Sequence, residues 1–294
     1  MKENINKIAK YFGWLFLLIL ILVLLVDFLR RGIFQEQVGM NLLVVGDENV
    51  GMLVMRPKDN SISWVSLPTN LKIKIFNSSA SYPIKSLWKF GQSENKPFDI
   101  IEKSIGMAIG VELPRMIKVD RVASVDQALG KFLSISAQTD LSWKDRWTIY
   151  QYVSDAAVSK KIFELEVPKT AMDKIQEADG KEFLVFNPVI NLWTKDKFYH
   201  EAILEENADI SINNVSDVPG MALGLSRQLE SAGMHVIEVV NNPQDSISEK
   251  GCFFLASNKN PVTKTFLQNQ AECMSLPEKE GKETSENLIK IWIR

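Results

Sequence analysis

Across 294 residues the chain balances 34 Lys and Arg against 36 Asp and Glu, a net charge of −2, and 46% of its residues are hydrophobic. That near-neutrality argues against a nucleic-acid partner, which requires a clear excess of Lys and Arg. Two cysteines, Cys252 and Cys273, and two histidines, His200 and His235, are too few and too scattered for a zinc site.

The chain opens on a charge-free run at residues 11–26, preceded by Lys2, Lys7 and Lys10 and closed by Asp27, Arg30 and Arg31. Carried on to Leu29 it is about 19 residues long, roughly 28 Å of helix, against a hydrocarbon core of about 30 Å. A secretory signal peptide would have a shorter apolar core and a small-x-small cleavage site. Val26-Asp27-Phe28-Leu29-Arg30-Arg31 offers no such site. A water-facing core helix would show a polar stripe, and residues 15–25 have none. The expectation is an uncleaved transmembrane anchor at residues 11–29, with the lipid bilayer as a partner. Three lysines and the α-amino group precede it, and two arginines offset by Asp27 and Glu36 follow. The positive-inside bias then places residues 1–10 in the cytoplasm and the body outside. That body, about 255 residues, is enough for one large domain or two smaller ones.

After a polar linker at residues 32–39, Asn41-Leu42-Leu43-Val44-Val45-Gly46 reads as a buried strand ended by glycine. Residues 52–55 and 62–67 read as two more, joined by the turn Pro57-Lys58-Asp59-Asn60. Residues 71–76 alternate as a half-exposed strand. A helix over residues 83–90 should stop at Gly91. A second, opening at Pro97, should bury Ile101, Ile105 and Ala108 before Gly110. Residues 116–119 form a short strand. Ser142 can cap a helix carrying Trp143, Trp147 and Tyr150 at helical spacing, a stripe read as core rather than as a stacking platform. Residues 163–167 and 183–186 are strands, and the polar stretch 194–207 reads as a domain boundary.

The last part is the most regular. A strand at 209–212 leads to a helix capped by Asp217, with Pro219 in its first turn and Met221, Leu225, Leu229 and Ala232 on one face. Gly233 can end it in the left-handed conformation. A strand at 234–240 contains His235, read as structural. A strand at 252–256, a helix at 261–271 and a strand at 288–293 follow. The order β-α-β-β-α-β suits a ferredoxin-like sandwich with an antiparallel sheet. The helix running back from the Cys252 strand should bring Cys273 beside it. Outside the cytoplasm two such thiols form a disulfide; the alternative is two buried free thiols.

No Gly-x-Ser-x-Gly turn is present to mount a nucleophile, and neither glycine-rich nucleotide loop occurs, so the residues imply no cofactor.

Residues 209–222, Asp-Ile-Ser-Ile-Asn-Asn-Val-Ser-Asp-Val-Pro-Gly-Met-Ala, with Leu229-Glu-Ser-Ala-Gly-Met-His-Val, resemble the C-terminal domain of LytR-type proteins over 207–294. Upstream, Asn41 to Gly46, Pro57-Lys58, Val65-Ser66-Leu67-Pro68, Val119-Asp120 and Val125-Asp126-Gln127-Ala128-Leu129-Gly130 are similar to the LytR–CpsA–Psr catalytic domain. The resemblance implies a fold of mixed α/β (α+β) class: an N-terminal transmembrane helix, a degenerate α/β domain at 38–200 and the ferredoxin-like domain at 207–294. It implies a bitopic envelope protein of a family that moves glycopolymers from polyprenyl pyrophosphate carriers onto the cell wall. Such proteins hold the pyrophosphate with arginines, acids and often a divalent cation. The family's active-site positions fall approximately on Asp47, Glu48, Thr69 and Asn70.

Here the chain departs from the pattern. The family's Pro-Arg-Asp is Pro68-Thr69-Asn70, the loop between the first strands shrinks to residues 46–51, and Arg146 alone stands where an arginine pair is expected. Each lost charge-assisted bond to a pyrophosphate forfeits roughly 1.5–3 kcal/mol. Asp47 and Glu48, which could bind a cation, also read as solvated turn acids. The sequence therefore leans to a non-catalytic relative that binds wall polymer, a polyprenyl-linked lipid or other envelope proteins. Two alternatives stand beside it: a working glycopolymer phosphotransferase, which alone would need a divalent cation, and a pilus or secretion-system assembly protein.

Overall fold

The run Met40–Val45 (β1) is apolar at nearly every position because both faces of the strand are buried. The computed structural model describes residues 11, 13–22, 25–26, 32–34, 37–47, 49–120, 124–216, 218–241, 249–277 and 287–294. In it β1 pairs antiparallel with β2 (Val50–Arg56), and β2 with β3 (Ser61–Leu67). The turn between β2 and β3 is one 3-10 turn closed by Asn60 in the left-handed region, φ 52°. A small hairpin follows, β4 (Lys72–Lys74) with β5 (Ser81–Pro83), so the alternating run 71–76 yields a three-residue strand. Next come α1 (Leu87–Ser93), α2 (Pro97–Ile109), β6 (Arg115–Lys118), α3 (Val125–Phe132), β7 (Gln138–Thr139), α4 (Trp143–Val158) and β8 (Ile162–Glu166).

The six strands lie in the order β7-β6-β1-β2-β3-β8. β1 with β6 and β3 with β8 are parallel, so β1, β3, β6 and β8 all end at one edge. Alternate residues of β1 serve opposite layers. Leu43 and Val45 join Met52, Val54, Val65, Leu67, Ile101 and Ile105 on one face; Met40, Leu42 and Val44 join Leu53, Trp64, Phe132, Ile149 and Val153 on the other. α2 thus covers the first face, and α3 and α4 the second.

Two local expectations are corrected here. α1 runs past Gly91 rather than stopping there. The glycine permits close approach, since a Cβ would sit 2.6 Å from Pro97 Cα. On α4 the buried positions are Asp145, Arg146, Ile149, Val153 and Ala156, not the aromatic stripe. Trp147 is half exposed and stacks on Tyr150, while the Arg146 guanidinium covers Trp143. α4 begins as expected, with Asp145 N donating to Ser142 Oγ at 3.1 Å.

A second hairpin, β9 (Met172–Gln176) with β10 (Glu182–Phe186), follows. The polar stretch read as a boundary carries helix: α5 (Val189–Lys197) and α6 (Glu201–Glu206). Its buried apolar residues serve two cores: Phe198, with Ile190 of α5, packs into the first sheet's core, and Ile203 into that of the C-terminal unit. The Glu206 carboxylate closes α6 onto the next unit, accepting from Val262 N and Thr263 N at 2.8 and 2.7 Å.

That unit contains β11 (Asp209–Asn214), α7 (Met221–Ser231), β12 (His235–Asn241), β13 (Cys252–Leu255), α8 (Pro261–Asn269), β14 (Met274–Ser275) and β15 (Leu288–Ile293). The sheet order is β12-β11-β15-β13-β14. A ferredoxin-like sheet would split the first βαβ with another strand. Here β11 and β12 are parallel neighbours, β11 and β15 are also parallel, and only β13–β15 is antiparallel. The ferredoxin-like antiparallel sandwich is therefore corrected to a mixed sheet, with β12 an exposed edge on which His235 lies in solvent, Nδ1 2.9 Å from Asp209 Oδ1. The expected cap Asp217 lies outside the described residues; Gly220, φ 84°, precedes α7. Cys252 and Cys273 form a disulfide, with Cα atoms 4.5 Å apart.

Of the expected anchor 11–29, residues 12, 23–24 and 27–29 lie outside the described residues, as do residues 1–10. Residues 11, 13–22 and 25–26 are helical with exposed apolar side chains. Among the described residues no helix is long and apolar enough to cross a membrane. The chain enters the body at residues 32–34. Ile33 is buried in the second core layer, Phe34 N donates to Asp145 Oδ1 at 3.0 Å, and the Phe34 ring packs on Tyr152.

Candidate functional site

In sheets with parallel strands, sites form beyond the carboxyl ends of the strands. The edge where β1, β3, β6 and β8 end therefore holds the positions singled out from sequence. Asp47 sits in the β1–β2 turn, where its N–H donates to Asp120 O at 3.2 Å and its carboxylate pairs with Lys118 Nζ. Lys118 is itself nearly buried, donates to Val119 O at 2.9 Å and lies 5.7 Å above the Trp88 ring. Asp120 pairs with Lys131 at 3.1 Å. Glu48 lies outside the described residues. Thr69 and Asn70 are exposed in a turn closed by Leu71 N on Pro68 O, and Asn70 O accepts from Leu184 N. The edge thus gathers Asp47 and the 69–70 turn, but the turn presents no charge.

Arg146, the one arginine in the stretch 142–161 where the resemblance implies a pair, faces inward. It is 4% exposed, and its Nε donates to Phe132 O at 2.5 Å while Nη2 donates to Ser134 O. It fixes the loop after α3. The sheet face against α2 is also packed solid, with Leu43, Met52, Val54, Val65, Ile101 and Ile105 all at 0–1% exposure. Beside the edge, sequence reading missed β9 and with it a 630 Å³ open cavity flanked by Lys169, Lys174, Met172 and Leu184. The alternation in Met172-Asp173-Lys174-Ile175-Gln176 was the available signal.

A second concentration of polar groups lies where the first sheet's α2 and β6 meet the C-terminal unit, around a 480 Å³ cavity. Arg115 Nη1 lies 2.8 Å from Glu272 Oε1, and Arg115 Nε 3.6 Å from Asp140 Oδ2. Met116 N donates to Asp140 Oδ1 at 3.0 Å. Burial, then repulsion from and hydrogen bonding to Asp140, push the Glu102 carboxyl up to about 10. Burial, then Glu272, push Glu112 up to about 8 against the pull of Lys103. Burial also raises Asp140, opposed by the Met116 N–H and Arg115. Arg115, although burial works against its charge, is held above its usual range by Glu272 and Asp140. None of these residues was singled out from sequence, because they come from four separate segments.

His200, the other histidine, is 5% exposed. Its Nδ1 lies 2.6 Å from Val38 O, to which it donates, leaving Nε2 buried without a partner. Burial pulls its pKa down to about 4.

No family model matches the chain, and no curated protein matches it. Among solved structures, B. subtilis TagT is 10% identical with a TM-score of 0.42, over 57% of this chain and 93% of that chain. B. subtilis TagU is 13% identical at 0.38, over 53% and 94%. A protein from Enterococcus faecalis described as a transcriptional regulator, EF0465, is 10% identical at 0.40, over 67% and 87%.

Proposed function

We propose that this is a membrane-anchored envelope protein, its N-terminus cytoplasmic and its body outside, that binds or organises cell-wall glycopolymer or envelope proteins without transferring them. The reading draws on the sequence resemblance to LytR–CpsA–Psr proteins and on the lysine bias around residues 11–29. One observation carries the non-catalytic part. The turn matching the family's charged Pro-Arg-Asp is Pro68-Thr69-Asn70, exposed and uncharged, while Asp47 is tied to Lys118 and Arg146 is buried on carbonyls. A phosphoryl-transfer site needs preplaced charge aimed at the developing charge of the transition state; at this edge the 69–70 turn supplies none, and Lys118 and Lys131 are held by Asp47 and Asp120. The filled face beneath α2 leaves no room there for a polyprenyl tail.

The test is incubation of purified protein with a lipid-linked glycan donor. No polyprenyl phosphate should be released, while isolated wall polymer should bind. Release that disappears in Lys169→Ala/Lys174→Ala would favour the second reading, a transferase using those lysines beside the 630 Å³ cavity as substitute cations. A reporter fused after Arg294 should be active only in a form that works outside the cytoplasm. The assembly-protein alternative, which paired one anchor with a ferredoxin-like domain, loses the second of these supports, since β11 and β12 are parallel neighbours.

A further inference from the structure

The 480 Å³ cavity between α2, β6 and the C-terminal unit is within the size range of small-ligand sites. Its titratable groups are Asp99, Glu102 and Lys103 on α2, Glu112 and Arg115 after it, Asp140 before α4, and Glu272 after α8; α7, β13 and β15 contribute none. Both cations are already engaged, Lys103 by Asp99 and Arg115 by Asp140 and Glu272. What remains to be satisfied is acceptors. Gln270 is 1% exposed and spends its Nε2 on Gly39 O at 2.7 Å, which leaves its Oε1 without a partner. Glu102 Oε1 is also buried without one. A buried acceptor left unmade costs about 1–3 kcal/mol, and a ligand bearing N–H donors would recover it.

The same lining carries apolar side chains, Phe76, Phe98, Met107, Leu113, Met221 and Leu225. Among the described residues no three His, Cys, Asp or Glu side chains are placed to hold a metal ion. The occupant is then an organic cation with a short hydrocarbon body. We propose that this cavity binds a primary ammonium group on a short apolar stem, received by Glu102, Glu112 and the Gln270 amide oxygen. On binding, the ammonium takes the place of the Glu112 proton, which leaves to solvent; no bond in the ligand breaks. Because the cavity is shared by both units, the bound ligand also joins them.

The experiment is titration calorimetry of the full chain in detergent with n-hexylammonium, hexanol and calcium ions from pH 6 to 9. Hexylammonium should bind one to one. Its affinity should rise by up to about tenfold per pH unit to near pH 8 and then flatten, as the displaced proton requires, with proton release measured in buffers of different ionisation heat. Glu112→Gln, near-isosteric, should weaken it at least about tenfold, the loss of one charge-assisted bond. Glu112→Gln should also remove the slope. Asp179→Asn, on an exposed hairpin turn, should leave affinity unchanged. Equal binding of hexanol, displacement by equimolar calcium, a flat pH profile, unaltered affinity in folded Glu112→Gln, equal weakening in Asp179→Asn, or no binding by folded protein would each overturn the proposal.

Discussion

Glu272 and Arg115 are 157 residues apart in sequence and 2.8 Å apart in space, linking the loop after α8 to the first residue of β6. Glu272 holds this position with φ 53°, immediately before the disulfide-bonded Cys273. Its side chain is more than half exposed, whereas that of Arg115 is 24% exposed. Removing one partner should therefore cost much less than removing the other. Glu272→Gln should lower stability by at most about 1 kcal/mol, as for exposed pairs. Arg115→Met strands Asp140 beside Glu102 and should cost about 2–3 kcal/mol, approaching the loss from breaking a buried pair. Denaturant titration of both single variants and the double variant gives the coupling directly.

The disulfide closes a loop across a sequence separation of 21 residues. Reducing it, or replacing both cysteines by Ala, should lower stability by about 3 kcal/mol in the chain-entropy account. The Arg115–Glu272 coupling should fall with it, because the bridge fixes the residue after Glu272. Alkylation of unfolded, unreduced protein should label neither cysteine.

Glu112 sets a pH dependence of definite sign. Its folded pKa, about 8, lies above the usual 4.5. Between these values the unfolded chain has released a proton that the folded protein keeps, so stability falls as pH rises from about 4.5 to 8. Glu112→Gln should remove this loss and stabilise the protein at pH 7 by up to about 3 kcal/mol, at about 1.4 kcal/mol per unit. Melting temperatures of the two proteins should converge near pH 4.

His200 works in the opposite direction. Its folded pKa is about 4 against 6.5. The unfolded chain gains a proton first, and the stability His200 contributes is lost as pH falls from 6.5 towards 4. Imidazole NMR should show His200 neutral at pH 5.5, with the proton on Nδ1.

Two glycines separate packing from propensity. Gly51 lies against Trp64, and an added Cβ would meet Cζ2 at 2.3 Å, so Gly51→Ala should destabilise by about 1–3 kcal/mol. Gly130 in α3 has nothing within 4 Å, and Gly130→Ala should stabilise by about 0.5–1 kcal/mol. Circular-dichroism melts of both variants decide it.

What was legible in the sequence was what period and punctuation encode. β1, β2 and β3 stood out as apolar runs, α2 by Pro97 and Gly110, α4 by Ser142. The α2 face was read one residue off at its end, with Ile109 rather than Ala108 buried. Helical spacing alone put Trp143, Trp147 and Tyr150 inside. Asp145 and Arg146 took the inner positions because their charges meet Phe34 N, Phe132 O and Ser134 O, contacts no local pattern reveals. The sheet order of the C-terminal unit was hidden for a similar reason, since β-α-β-β-α-β fits more than one pairing scheme. The cavity around Glu102 and Glu112 was beyond reach, because its residues meet only once both units are packed.

The fastening of residues 32–34 to α4 limits how far the body can travel. Between Val26, the last described helical residue, and Gly32 there are six chain steps, which span at most about 20 Å when fully stretched. Beyond Gly32 no slack remains, since Ile33 is buried and Phe34 is bonded to Asp145. With the N-terminal helix embedded in the bilayer as proposed, the start of the body is held within that reach of the lipid. Any polymer it handles must come down to the lipid surface to be met.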